Sequence, residues 1–234
     1  MSTPLLQVAG LHAYYGESHI LRGLDFEVQP AEVVTLLGRN GAGRTTTFKA
    51  LLGLVDRRTG CVRIAGQDAI DMPSHRIARL GVGYCPEERG IYASLSAEEN
   101  LLLPPRVGPD GLSIEEIYAL FPHLRERRAI QGTRLSGGEQ QMLAVARILR
   151  SGARLLLLDE VSEGLAPVIL QALSHAIQTL RQKGYTILMA EQNFRFAAPL
   201  THRFYVMEHG RIVHSFPASE LQQNTPRLRH FLGV

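Results

Sequence analysis

Gly38-Arg39-Asn40-Gly41-Ala42-Gly43-Arg44-Thr45 follows an apolar run, Glu32 to Leu37, and precedes a stretch from Arg44 to Leu52 that ends at Gly53. The run reads as a strand and the stretch as a helix, so the glycines occupy a strand-to-helix turn. That is the context a phosphate-binding loop requires. Glycines let backbone N–H groups converge on phosphate oxygens, and the helix N-terminus adds positive potential. Gly38, Asn40, Gly41, Gly43, Arg44, Thr45 and Thr46 are the candidate phosphate contacts, and Thr45 offers its hydroxyl to Mg²⁺. Taken alone, with the lysine missing, the segment also admits the lesser reading of a glycine-rich turn holding no ligand. One residue departs from the pattern, because Arg44 stands where lysine is expected. Lysine is a compact charge, whereas arginine is longer, planar and forked, so its guanidinium is expected to crowd the closed loop.

Outward from the loop, short β-type runs alternate with helical patterns, which predicts a largely parallel sheet covered by helices. Leu5 to Val8 and Leu24 to Val28 read as early, partly antiparallel strands. Cys61 to Ile64 and Gly81 to Cys85 follow, and Leu155 to Leu158 and Thr186 to Met189 have the length of central strands. Ala97 to Arg150 is mostly helical, broken by a loop from Leu103 to Gly111, and reads as an insertion between core strands. Pro226 to Leu232 reads as a short helix.

Two downstream motifs complete the phosphate loop. Leu135-Ser136-Gly137-Gly138-Glu139-Gln140 is the ABC signature sequence, continued by an amphipathic helix through Arg147. Ser136, Gly137 and Gly138 form a second helix N-terminus suited to an anion; a plain serine cap is compatible with the same residues. Leu155 to Glu160 is an apolar strand ending in two carboxylates, the Walker B arrangement. Asp159 would hold Mg²⁺ and Glu160 would polarise the attacking water.

Over essentially its whole length the chain resembles an ABC transporter nucleotide-binding subunit. More narrowly, it is similar to the ATP-binding subunits of branched-chain amino-acid-type importers, urea systems included. That resemblance is carried by Tyr15-Gly16, Cys85-Pro86-Glu87-Glu88-Arg89-Gly90, Glu98-Glu99-Asn100-Leu101, Gly164-Leu165-Ala166-Pro167, Ala190-Glu191-Gln192-Asn193 and Phe231-Leu232-Gly233-Val234. It implies a single α/β domain of the P-loop NTPase kind. The implied division is a RecA-like and β core over 1–90 and 153–234 and a helical signature subdomain over 91–152.

The resemblance also implies roles. Tyr15 would stack on adenine, Glu87 would take the metal-sensing glutamine-loop position, and Gln192 the switch position where most relatives carry histidine. Glu87 adds a charge near the metal, while Gln192 donates a hydrogen bond without becoming cationic. Val161 replaces the proline most relatives have at the start of the D-loop, so stiffness there is in question. Two such subunits dock head to tail, each ATP lying between one subunit's phosphate loop and the other's signature. Gly90, Ile91, Tyr92 and Leu95 are candidate contacts for a membrane partner's coupling helix, or packing within the insertion. The implied partners are permease subunits, a second identical or paralogous ATP-binding subunit and, indirectly, a periplasmic solute-binding protein. The implied location is the cytoplasmic face of the inner or plasma membrane.

Bulk properties agree with this and narrow it. The 234 residues are 45% hydrophobic and 20% charged, an ordinary globular composition. Cys61 and Cys85 make neither a disulfide framework nor a metal-site spacing. Met1 to Gly10 lacks signal-peptide character, and no apolar run approaches the ~20 residues of a membrane helix. Net charge is +3, but the basic residues are scattered, which argues against nucleic acid as a partner. Lys49 and Lys183 are the only lysines among 25 basic Lys and Arg side chains, so Arg44 belongs to a general drift towards arginine. One cassette without sustained heptads argues against a translation or DNA-repair ATPase. Two readings of activity follow from Arg44: slow but real ATP hydrolysis, or an ATP-binding regulatory half-site.

Overall fold

The computed structural model describes residues 3–233; Met1, Ser2 and Val234, the last quoted in the closing segment, lie outside the described residues. The chain opens with strands β1 (Leu6–Tyr15) and β2 (Ser18–Val28), an antiparallel pair, then β3 (Val33–Gly38). Helix α1 (Arg44–Leu51) leads to β4 (Arg57–Ile64) and β5 (Gln67–Asp68). Helix α2 (Ser74–Arg79) and β6 (Val82–Cys85) follow. The insertion then supplies α3 (Ala97–Leu102), α4 (Ile114–Leu120), α5 (Pro122–Glu126) and α6 (Gly137–Arg150). The chain returns through β7 (Leu155–Asp159), α7 (Pro167–Gln182) and β8 (Thr186–Glu191). It ends with α8 (Phe194–Ala197), β9 (Arg203–Glu208), β10 (Arg211–Pro217) and α9 (Leu221–Leu232).

Two sheets result. One is four-stranded and antiparallel, in the order β2-β1-β4-β5; the other is mixed, in the order β10-β9-β3-β8-β7-β6. Within the second, β3, β6, β7, β8 and β9 run parallel and β10 alone is antiparallel. The period-2 alternation of side chains sorts the apolar runs into two cores. Val34, Leu36, Leu155, Leu157, Leu188 and Ala190 face α1 and the four-stranded sheet. Val33, Leu37, Leu156, Leu158, Ile187 and Met189 face α6, α7 and the inserted helices. A strand buried on both faces needs a continuous apolar run, which is what made β7 and β8 legible.

The inserted helices are started by local chemistry. Ser96, Ser113 and Ser136 each cap a helix, with Glu99, Glu116 and Glu139 closing a capping box three residues on. Buried Asn100 fastens the preceding loop, donating to the carbonyls of Tyr92, Leu95 and Ser96 and accepting the Tyr92 N–H.

Four elements extend well beyond their predicted limits. β1 and β2 are 10 and 11 residues long, because antiparallel pairing carries them through His12, Tyr14 and His19. β4 begins at Arg57, where its ladder with β1 starts. α9 begins at Leu221 rather than Pro226. Its first turn is anchored by Asn224, which meets His214 Nε2 at 2.7 Å and donates to the Glu220 carbonyl.

Candidate functional site

The loop after β3 has the backbone its glycines predict. Gly43, the residue before α1, has φ 104° and Gly41 has φ 81°, a region L side chains rarely enter. At Gly38 a β-carbon would lie 2.7 Å from the Met207 carbonyl oxygen, so β9 can approach only a glycine. The loop lines a cleft of about 400 Å³ that also includes Ile20, Thr46, Glu87, Glu160 and Glu163.

Arg44 is folded into this loop instead of displacing it. Its side chain is 3% exposed. The guanidinium donates to the Gly38 carbonyl and to Glu160 Oε1, and reaches Asn40 Oδ1 at 3.3 Å. The expected crowding is avoided because the planar fork turns back on the loop's own acceptors and on the Walker B carboxylate. Its buried Nε has no hydrogen-bond partner among the described residues.

Asp159 ends β7 fully buried, accepting from Thr45 Oγ1 at 3.1 Å and from the Tyr84 hydroxyl at 3.0 Å. Burial lifts its carboxyl to about 6; Tyr84 and Thr45 oppose the rise, and Glu160 and Glu87 add to it. Tyr84, on β6, is itself raised, first by burial and then by Asp159. The carboxylate and the Thr45 hydroxyl form a hard-oxygen donor set that fits Mg²⁺. Glu160 begins a turn with φ 47°, its N–H held by the Ala190 carbonyl at 2.9 Å. The Glu163 carboxyl is raised by a hydrogen bond with Glu160.

Gln192 opens onto a second cleft of about 260 Å³, lined by Glu160, Ser162, Glu163, Gly164, Glu191 and Asn193. Glu160 thus borders both clefts. Glu191, whose carboxyl burial lifts to about 8, bonds the N–H and hydroxyl of Ser162.

Two groups of candidate residues stand apart from the phosphate loop. Tyr15 ends β1 opposite Ser18, and it is Ile20 that lines the phosphate cleft. Neighbouring Tyr14 stacks on His19 at 4.4 Å and carries the Arg57 guanidinium at 3.9 Å. Ser136 and Gly137 are exposed at the start of α6, outside the phosphate cleft. Ser136 caps its helix, accepting the Glu139 N–H at 3.3 Å, as the serine-cap reading expects. Gly138 is buried against Ile169, where a β-carbon would lie 2.6 Å from Cγ1. Arg89, at φ 65°, bridges Gln140 and Gln141 at 3.2 and 3.3 Å and links the Glu87 loop to α6. Of the proposed coupling residues, Tyr92 is half-exposed beneath the Arg147 guanidinium, while Ile91 packs against the core.

Sequence reasoning gave no role to Tyr84, Arg89 or the Glu191 side chain. The available signals were a tyrosine inside a buried strand and a carboxylate directly continuing an apolar run.

A glycine loop between a parallel strand and a helix, with paired carboxylates at a nearby strand end, defines a P-loop ATPase. The chain belongs to the ABC transporter family, whose profile matches residues 21–163. It is an ATP-binding subunit of that family, an ATPase coupled to transport. It is 38% identical to the high-affinity branched-chain amino acid transport ATP-binding protein BraG of Pseudomonas aeruginosa, covering 98% of this chain and 100% of BraG. It is 33% identical to the lipopolysaccharide export system ATP-binding protein LptB of Escherichia coli strain K12, over 94% of this chain and 93% of LptB. Among solved structures, the ATP-binding subunit of an ABC transporter superposes with a TM-score of 0.81 at 28% identity, over 98% of this chain and 100% of that one. No helix among the described residues is long and apolar enough to cross a membrane.

Proposed function

We propose that this chain hydrolyses ATP to drive a membrane importer of branched-chain amino acids or a related small polar or organic-acid solute. The observation that carries the reading is the end-to-end likeness to BraG, higher than that to LptB. The glutamine at the switch position and the glutamate at the glutamine-loop position agree with it.

Phosphates bind the N–H groups of the Gly38–Thr46 loop and the start of α1, with Tyr15 reaching adenine. Thr45 and Asp159 hold Mg²⁺, Glu87 sensing the same metal, and the ion supplies charge neutralisation on the phosphates when bound. Glu160 polarises the attacking water, oriented with the help of Gln192. Ser136, Gly137 and Gly138 complete the site of a second subunit docked head to tail, a geometry supported by the exposure of Ser136 and Gly137 away from the chain's own loop. Closure of that pair moves permease subunits at the cytoplasmic face of the membrane, where an external binding protein delivers the solute.

The buried Arg44–Glu160 contact favours a second reading, an ATP-binding half-site with weak hydrolysis, because the general base is already neutralised within the chain. Mg²⁺-ATP turnover of the native chain beside Arg44→Lys, with Glu160→Gln as blank, separates the two. Uptake of labelled leucine, isoleucine, valine and urea by cells lacking the chain tests the importer. Loss of one uptake supports it, and unchanged uptake of all four removes branched-chain amino acids and urea as the solute.

A further inference from the structure

Glu191 closes β8 with a carboxylate where the preceding Thr186-Ile187-Leu188-Met189-Ala190 run is wholly buried. The Glu191 residue is 1% exposed. A carboxyl group in that setting costs free energy unless specific bonds offset it. Those bonds come from one residue. Ser162 donates its hydroxyl to Glu191 Oε2 at 2.7 Å and its N–H to Oε1 at 3.2 Å. Ser162 is itself buried, and Val161 before it is fully enclosed.

The turn so held is the one that carries the general base. Glu160 departs from β7 in the left-handed region, its N–H bonded to the Ala190 carbonyl, and its own carbonyl accepts the Glu163 N–H at 3.1 Å. Residues 160 and 162 are therefore fastened to 190 and 191, two anchors in succession. A non-glycine residue at φ 47° is strained, and it stays there only if its surroundings hold it. Val161 gives this turn no proline ring to fix its φ, and the bonds from Ser162 to the Glu191 carboxyl constrain the next residue. The residue after Glu191 is Gln192, which lines the same cleft as Glu160.

We propose that Glu191 is a positioning residue for ATP hydrolysis, clipping Ser162 to β8 so that Glu160 and Gln192 keep a fixed relative orientation. The assignment rests on the reading of Glu160 as general base. Glu191 touches no reacting atom and acts through the turn. A neutral side chain of the same shape keeps the clip, because the carboxamide introduced by Glu191→Gln accepts the Ser162 N–H and donates to its hydroxyl oxygen.

The test combines hydrogen exchange over residues 160–166 of the nucleotide-free chain with ATP kinetics, for Glu191→Ala, Glu191→Gln and Ser162→Ala. Glu191→Ala is expected to raise exchange in that segment about 10-fold or more, leaving β7 protected. Its kcat is expected to fall about 10-fold with KM for ATP changed less than about 2-fold, because the phosphate loop is untouched. Glu191→Gln is expected to restore both, and Ser162→Ala to repeat the loss should Glu191→Ala fail to fold. Normal turnover with unchanged exchange in Ser162→Ala and Glu191→Ala overturns the clip alone. Equal kcat losses in Glu191→Ala and Glu191→Gln overturn positioning in favour of a need for the ionisable acid itself. Absence of turnover in both the native chain and Arg44→Lys overturns the ATPase reading and the assignment with it.

Discussion

The Arg44 guanidinium and the Glu160 carboxylate, 116 residues apart in sequence, form an ion pair inside the phosphate loop. A P-loop lysine would place one compact charge in this space, whereas the arginine fork spreads its donors over Gly38, Asn40 and Glu160. The pairing engages the carboxylate proposed above to polarise the attacking water.

Arg44→Lys is therefore expected to raise kcat by about 10-fold, equivalent to about 1.4 kcal/mol of barrier. Steady-state phosphate release with Glu160→Gln as zero reference checks it. Equal rates for arginine and lysine would mean that the pair opens freely once ATP is bound.

Glu160→Gln removes one partner and leaves a cation shielded from water. Full breakage of a buried pair costs about 3–5 kcal/mol, but this one borders an open cleft, so about 1–2 kcal/mol is expected. The nucleotide-free melting temperature should fall by several degrees. Adding ATP at about 100 times its Kd should return about 2.7 kcal/mol. An unaltered melting temperature without nucleotide would contradict the pair.

The Glu191 carboxyl, lifted to about 8 by burial, gives a pH signature. Its unfolded value is about 4.3. Between the two, the folded chain retains a proton that the unfolded chain releases. The contribution is thus fully present below about pH 4 and is lost as pH rises through 8, with a slope of at most about 1.4 kcal/mol per unit. Glu191→Gln should flatten the fall in urea stability between about pH 5 and 8. Parallel curves for the two proteins would refute it.

At Gly138 a methyl group would overlap Ile169 Cγ1, and α6 cannot shift without moving the signature. Gly138→Ala is expected to cost about 1–3 kcal/mol. Combining it with Ile169→Ala should recover part of that loss, measured as a non-additive double-mutant cycle. Strict additivity would show that the two side chains do not meet.

Tyr84→Phe deletes one of the two hydroxyl donors to Asp159, a hydrogen bond to a charged group worth about 1.5–3 kcal/mol. The Mg²⁺ concentration for half-maximal turnover should rise by about 10-fold. An unchanged requirement would place the metal away from Asp159.

The sequence reading reached furthest where one residue type has one physical job. The glycines of the phosphate loop, the double-sided apolar runs of β7 and β8 and the serine that caps the signature helix were all visible in linear order. β1 and β2 were cut short because their continuation through His12, Tyr14 and His19 depends on pairing between strands, which has no local signal. The start of α9 was missed because a contact between Asn224 and His214 outweighs the break that Pro226 suggests. Arg44 was recognised as anomalous, but its partner could not be read, since Glu160 is brought to it only by the sheet order β3-β8-β7. Glu191 was quoted for likeness alone, because its work lies in a bond to Ser162.

The sheet order carries one mechanical consequence. β6 is the outermost strand and hydrogen-bonds to β7 alone, through four residue pairs, and Glu87 lies two residues beyond its end. Every other parallel strand of this sheet is hydrogen-bonded on both sides, so β6 is the one parallel strand held by a single ladder among the described residues. The Arg89 bridges to Gln140 and Gln141, with the Gln141 contact to Cys85 Sγ at 3.5 Å, tie that margin to the inserted helix α6. Glu87, proposed above to sense the metal, is thus mounted beyond an edge strand with one neighbour, while the phosphate loop leaves a strand paired on both sides.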